Sequence, residues 1–322
     1  MKVITQEELR SIEEGKYVSG VCLIQGVSIK TTRNGNKYLE GKVISGESVP
    51  FKIWGGDLCN HLMEDVTSLS GTVVSITAKG NEFNGSKSLI IEDLVPVEGY
   101  KADDFMATKY NIESYWSGLK QVVGNAVSDI CMKAVLNPIL FENDEVAKLF
   151  KRGFAATSHH DNCKGGLLAH TYRVFLIANY MLQLYPHLTK EASKGESTQA
   201  RKDLILAGVV LHDIGKIIEM DAGTYTMKSR VTHRILGLEY LFEHKNEIVS
   251  AYGEKWFYDL ECILVQHHGE FGDNYRTVPA FVVGTCDRLE AYFTTIKELE
   301  DSSINTQPSG ESIKMGDLFL SL

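Results

Sequence analysis

Two aspartates sit where a carboxylate is hardest to keep. The nearly continuous apolar run LILAGVVLHDIGK ends in His212-Asp213, and VPAFVVGTCDRLEAY carries Asp287 on the helical stripe of Val283, Gly284 and Ala291. An ionised carboxylate turned toward a core is very costly unless a cation or strong hydrogen bonds accompany it. Histidines recur in the same setting. In GGLLAHTYRVFLIANYML, His170 shares a face with Val174, Ile177 and Met181, and in WFYDLECILVQHHGE, His267 follows Leu260, Ile263 and Leu264 at helical spacing, with His268 about 100° around the helix. Taken singly, each has a plain reading: a hydrogen-bonded core histidine, a helix cap, or a dipole interaction at a helix end. Together they predict a mixed nitrogen and oxygen metal site drawn from several helices, as a bundle would build one.

The remainder of the chain supplies two kinds of scaffold. YVSGVCLIQGVSIKTT, KYLEGKVIS, VPFKIW, GTVVSITAKG and SLIIEDLVPV are short runs rich in β-branched and aromatic residues, punctuated by Asn34-Gly35 and Asn84-Gly85. About five strands, with a helix or loop between Gly55 and Leu69, suit an OB-type barrel. After Gly99 the texture turns helical, interrupted by polar joints at Thr189 to Lys202 and Asp301 to Ser312, and Gly215 reads as the terminator of the His212 helix. The expected architecture is multi-domain α+β. A barrel spans 1–98 and an all-α helical bundle spans 99–322, with connecting helices at 103–150 and the metal-bearing core at about 151–300.

Composition narrows the class. Hydrophobic residues at 43% and charged residues at 23% are ordinary for a globular protein, and no apolar run is long enough to span a bilayer. The polar start MKVITQEELRSIEEG lacks a leader pattern, and the six scattered cysteines form no CxxC, so a reducing cytoplasm is expected. A net charge of −9 does not advertise a nucleic-acid binder, although a metal centre or a local basic stripe can supply the positive charge.

The order His170, His212-Asp213, Asp287 resembles the H…HD…D signature of HD-superfamily phosphohydrolases. HHDNCKGGLLAHTYRV, VVLHDIGKIIEM, VTHRILG, VQHHGE and TCDRLEAY resemble, in order and context, the YhaM family of bacterial 3′→5′ exoribonucleases. The start VCLIQGVSIKTTRNGNKYLEGKVISGESVPFKIW is similar to that family's OB barrel. The resemblance implies a first metal on His170, His212, Asp213 and Asp287. Asp213 would bridge to a second held by His233 and by His267, His268 or both. It implies one or two divalent ions, manganese first, with iron, cobalt, nickel, zinc or magnesium as alternatives. It also hints at a homo-oligomer. Three departures stand out: Thr232 replaces the glycine before His233, Arg288-Leu289-Glu290 replaces Asn-Leu-Asp, and Asp161-Asn162 follows His159-His160.

Such a centre lowers the pKa of a bound water toward neutrality and neutralises charge on a phosphoryl group. Asp213 is the candidate to orient the nucleophile. Lys216 is expected to reach a phosphate oxygen or to be a solvated lysine, and His159 and His160 are expected by resemblance near the scissile phosphate. In the barrel, Lys30, Arg33, Lys37 and Lys42 outnumber Glu40, and Tyr38, Phe51, Trp54 and Phe83 offer either stacking surfaces or barrel core; Lys30, Arg33, Lys37, Tyr38 and Trp54 are the candidate strand contacts. The expected activity is a metal-dependent 3′→5′ exonuclease on single-stranded RNA, with DNA as a second substrate class and nucleoside monophosphates as products. The alternatives are an HD-type nucleotidase or cyclic-nucleotide phosphodiesterase whose barrel serves oligomerisation or docking, and an OB binding module on a decayed HD domain.

Overall fold

The computed structural model describes residues 1–83, 85–156, 161–190, 197–221, 223–303, 312–315 and 318–321. Its contacts divide the chain into two compact units, Met1–Lys109 and Tyr110–Leu322.

The first unit is a closed five-stranded barrel. Strands β1 (Tyr17–Thr31), β2 (Lys37–Ile44), β3 (Ser48–Ile53), β4 (Thr72–Phe83) and β5 (Ser86–Pro96) run in the order β1-β2-β3-β5-β4, with β4 closing on β1. All neighbours are antiparallel except β3 and β5. A short helix α1 (Gln6–Arg10) precedes the barrel, opened by a Thr5–Glu8 capping box. Helices α2 (Asp57–Met63) and α3 (Val66–Leu69) fill the β3–β4 connection. Period-two alternation turns Leu39 and Val43 inward and Tyr38, Glu40 and Lys42 outward. The β4–β5 hairpin pairs Phe83 with Ser86, while Asn84 lies outside the described residues. The two units part at Lys109/Tyr110, past the 98/99 boundary suggested by composition. Val97, Tyr100, Ala102, Phe105 and Met106 explain the difference, because they pack with Val21, Leu23, Ile44 and Val73 of the barrel wall.

The second unit is helical: α4 (Ile112–Ala126), α5 (Asp129–Cys131) running into a π-helical stretch at Met132–Phe141, α6 (Asp144–Arg152), α7 (Gly166–Leu184), α8 (Thr198–Leu211), α9 (Lys216–Glu219), α10 (Thr232–Phe242), α11 (Lys245–Tyr252), α12 (Glu254–Gln266) and α13 (Val278–Ser303). Side-chain caps start several of them. Asn111, Asn143 and Ser197 accept from the backbone N–H groups of Ser114, Val146 and Ala200. Helix α8 therefore begins inside the stretch expected to be a polar joint, whose residues 191–196 lie outside the described part, and α13 runs on to Ser303. Two short ribbons, β6 (Met220–Asp221) with β7 (Thr224–Tyr225) and β8 (Ser312–Met315) with β9 (Leu318–Ser321), qualify the all-α expectation.

Helix α7 packs on α4, α8 and α13, and α12 packs on α8, α10 and α13. Buried Phe175, Leu204, Leu206, Val209, Leu260, Ile263 and Val283 form the core between them. Among the described residues, no helix is long and apolar enough to cross a membrane.

Candidate metal centre

Five helix segments deliver their polar groups to one place. His170 lies in the first half of α7, His212 and Asp213 close α8, His233 opens α10, His267 and His268 follow α12, and Asp287 lies on α13. Asp213 is central and buried. Its Oδ2 lies 3.3 Å from His212 Nε2 and 3.7 Å from His170 Nε2, while its Oδ1 lies 3.4 Å from His233 Nε2 and 3.6 Å from His267 Nε2. Asp287 Oδ1 completes the first end, 3.1 Å from His170 Nε2 and 3.7 Å from His212 Nε2. At the second end, His268 Nε2 faces His233 Nε2 at 3.2 Å. Asp287, expected in the core, keeps 19% of its side chain exposed against 3% for Asp213, so the centre opens on its side.

The outer nitrogens explain why the inner ones converge. His212 Nδ1 donates to Val209 O at 2.8 Å and His267 Nδ1 donates to Leu264 O at 2.9 Å, each using a carbonyl of its own helix end. His170 Nδ1 donates to Glu290 at 2.5 Å and His233 Nδ1 donates to Glu219 at 3.0 Å. In every case Nε2 is the nitrogen turned inward, the arrangement that orients metal-ligating histidines. Glu219 and Glu290 are 7% and 2% exposed, deep enough to need these partners. Sequence reading missed both. Glu290 is signalled only by its i+3 spacing from Asp287, and Glu219 by nothing local to His233.

Local backbone explains the placement. Gly215, expected as the terminator of the His212 helix, has φ −64° and leads into α9. It is glycine because a Cβ there would overlap His233 O and Gly237 N, so it lets the His212–Asp213 turn press against α10. Thr232, just before His233, sits at φ +67° and ψ 146°, a region that strains a β-branched residue, and its buried Oγ1 has no partner.

The donors fit divalent ions on the structure's own terms. Asp213 Oδ1 and His267 Nε2 are buried without hydrogen-bond partners. His170 and His212 point their Nε2 atoms at each other across 3.4 Å, which needs a cation or proton nearby. Two groups among the described residues, His170 with His212 and Asp213, and Asp213 with His233, His267 and His268, have the convergence of a metal site and share Asp213. Burial opposes a proton on His170 and His212, but Asp287 and Glu290 push the first up to about 9, and Asp213 and Asp287 push the second to about 10. Burial likewise opposes charge on Asp213 and Asp287. Lys216 and His212 hold Asp213 well below the usual carboxylate range, and His170 and His212 do so for Asp287. Burial and neighbouring imidazoles lower His267, and lower His268 to about 3.

Lys216 departs from both expectations. Its ammonium, with a side chain 15% exposed, lies 2.7 Å from Asp213 Oδ2 and 2.6 Å from Ala155 O, so it is neither solvated nor free to reach out. It holds the shared carboxylate in place. His159 and His160 lie outside the described residues.

On the barrel, Tyr38 and Trp54 lie with ring centroids 4.9 Å apart, and Lys52 Nζ sits 5.7 Å and 5.3 Å from their centres. Trp54 is 44% exposed and Phe83 72%, whereas Phe51 at 1% is barrel core. Lys30 borders this patch, 3.5 Å from Glu40. Arg33 and Lys37 are exposed at the β1–β2 hairpin.

Residues 167–292 match the family model for the HD domain. The chain carries an HD domain. Along most of its length it is also similar to a 3′-5′ exoribonuclease YhaM from Listeria welshimeri serovar 6b, 26% identical over 93% of this chain and 90% of that one. A YhaM protein from Shouchella clausii is 24% identical over 88% of this chain and 86% of its own. The resemblance read from the motifs therefore extends across both units, and the chain is an HD-superfamily enzyme. Among solved structures, the yeast mitochondrial single-stranded DNA binding protein Rim1 is matched over its whole length by 28% of this chain, at 22% identity and a TM-score of 0.24.

Proposed function

We propose that this HD enzyme is a metal-dependent phosphodiesterase that degrades single-stranded RNA from the 3′ end and releases nucleoside monophosphates, with DNA as a second substrate class. One observation carries the metal half of the reading: a single buried carboxylate, Asp213, turns one oxygen toward His170 and His212 and the other toward His233 and His267. A divalent ion at either end supplies Lewis-acid charge to a phosphodiester and makes a bound water acidic enough to attack near neutrality. Manganese is the first candidate, with iron, cobalt, nickel, zinc or magnesium as alternatives, because the donor set mixes imidazole with carboxylate.

The chain's own residues then have distinct tasks. His170, His212 and Asp287 would hold the first ion, and His233, His267 and His268 the second. Asp213 would serve both positions, one oxygen turned toward each, and would orient an attacking water. Lys216 keeps Asp213 charged and in register. The relatives' names bring the exonuclease polarity. The Tyr38, Trp54 and Lys52 surface supports strand binding, since stacking faces beside cations hold single strands without regard to sequence. A cytoplasmic location belongs to the same reading, since six scattered cysteines without a CxxC suit a reducing compartment. Assembly into a homo-oligomer belongs to the same reading and is measured by light scattering.

Incubation of the manganese-loaded protein with 3′-blocked and unblocked labelled oligoribonucleotides, their DNA counterparts and small nucleotides tests this function. Stepwise shortening of unblocked RNA alongside intact blocked RNA is expected. Equal loss of blocked and unblocked strands, or turnover of small nucleotides alone, would overturn the exonuclease in favour of a nucleotidase with a docking barrel.

A further inference from the structure

A second charged cluster lies directly behind the centre. His170 and Arg173 are three residues apart on α7, and Asp287 and Glu290 are three apart on α13, so each pair shares a face of two packed helices. His170 meets Asp287 with Nε2 and Glu290 with Nδ1, at 3.1 Å and 2.5 Å. Arg173 Nε donates to the other oxygen of Glu290 at 2.5 Å, and its Nη2 donates to Asp161 Oδ2. Tyr110 closes the row: its hydroxyl donates to Asp161 Oδ1, and its ring lies 5.6 Å from the guanidinium. Thr294 donates to Glu290 Oε1 at 2.6 Å.

Asp161, His170 and Glu290 also converge closely enough to hold a metal. Arg173 already supplies a cation to both carboxylates there, so this cluster is a support and not a third metal position. Asp161 and Glu290 are 0% and 2% exposed, and both bind the guanidinium of Arg173, which divides its charge between them. Asp161 further occupies a left-handed conformation, φ +57°, in the turn before α7. Its carbonyl presses on Gly166, where a Cβ would overlap it. Aspartate is among the few side chains that tolerate such a turn, so the acid and the backbone that presents it suit one another.

We propose that Asp161, Arg173 and Glu290 form a positioning relay that keeps the Nδ1–H of His170 donated to an ionised Glu290 and thereby sets metal affinity at the His170–His212–Asp287 end. Asp161 draws part of Arg173's charge away from Glu290. Glu290 is left anionic enough to bind the Nδ1–H strongly, which fixes the ring and makes Nε2 a better donor. The relay rests on the metal reading above, and it contains none of the proposed metal ligands except the one it positions.

The competing view is a staple that only fastens the start of α7. Two measurements separate the views. In 15N-histidine NMR of the metal-free full chain, the His170 Nδ1 proton is expected far downfield and is expected to lose that position in Glu290→Gln. In manganese titrations, Glu290→Gln is expected to weaken first-end affinity about 10- to 100-fold. Asp161→Asn, which keeps side-chain size and lies two links from the ion, is expected to weaken it about threefold without moving the second-end affinity. A staple predicts lower melting temperatures with unchanged manganese affinity and an unchanged His170 proton, and that result overturns the relay. If Glu290→Gln does not fold, Asp161→Asn decides alone: wild-type affinity there also overturns it. A wild-type chain that binds no manganese contradicts the metal reading itself and the relay with it, which distinguishes the two failures.

Discussion

The two ends of the centre use the same bridging aspartate but opposite surroundings. At the first end two imidazoles meet Asp287, one oxygen of Asp213 and, behind them, Glu290. At the second, His233 and His267 share the other oxygen of Asp213, His268 faces His233, and the supporting carboxylate is Glu219. The consequence is electrostatic. Without an ion, the carboxylates of the first end draw protons onto His170 and His212, raised to about 9 and 10, whereas His267 and His268 are lowered and stay neutral. The first end would exchange protons for metal, whereas His267 and His268 at the second offer nitrogen lone pairs at once. An anion-rich end suits harder ions such as manganese, and a histidine-rich end suits zinc, nickel or cobalt.

The largest expected effect removes what the ends share. Asp213→Asn keeps the volume but cancels the bridging charge, so both ions should leave together and activity should fall roughly a thousandfold. Elemental analysis beside a nuclease assay checks it, and loss of only one ion would mean that the ends do not depend on a common carboxylate. Next come single-end changes. His212→Ala should empty the first end and His268→Ala the second, each costing at least about tenfold in activity, with the remaining ion differing in preference between manganese and zinc. Identical metal preferences in the two variants would erase the asymmetry.

A smaller effect is written in pH. His170 is raised from 6.5 to about 9 in the metal-free fold. Its contribution to stability is therefore complete below its ordinary value and disappears as pH rises through about 9, a loss of at most ~3 kcal/mol. Metal-free protein should melt lower at pH 9 than at pH 6.5. Manganese-loaded protein should lack that loss, because the nitrogen is already deprotonated. Glu290 has the opposite sign. Burial raises it, but His170, Arg173 and Thr294 outweigh burial and hold it at about 2, so its contribution vanishes as pH falls from about 4.5 toward 2. The smallest change lies at the second end. Thr232→Gly relieves the φ +67° backbone before His233 and should stabilise the fold by about 1 kcal/mol, read as a higher melting temperature with first-end affinity unchanged.

Local pattern carried the architecture. Strand-length β-branched runs and Asn34-Gly35 specify the barrel, and helical spacing places His170 and His267 inward, because each depends on residues within one or two turns. Long-range partners are where sequence fell short. Glu290 reaches His170 from 120 positions away, and Arg173 looks like any helix-surface cation until Asp161 and Glu290 are seen around it. Lys216 follows the same rule, since its salt bridge to Asp213 is local but its bond to Ala155 is not. Gly215 was legible as a glycine requirement but not as its cause, which is the backbone of α10 pressing against it. Trp54 faces solvent beside Tyr38 while Phe51 fills the barrel, a division that composition alone leaves open.

In the proposed centre one carboxylate joins two unlike metal positions. Anomalous diffraction from crystals of the manganese-loaded protein measures it directly. Two peaks flanking Asp213 are expected, one beside His170, His212 and Asp287 and the other beside His233, His267 and His268. A peak within the Asp161, His170 and Glu290 cluster, or a lone peak not touching Asp213, would contradict it.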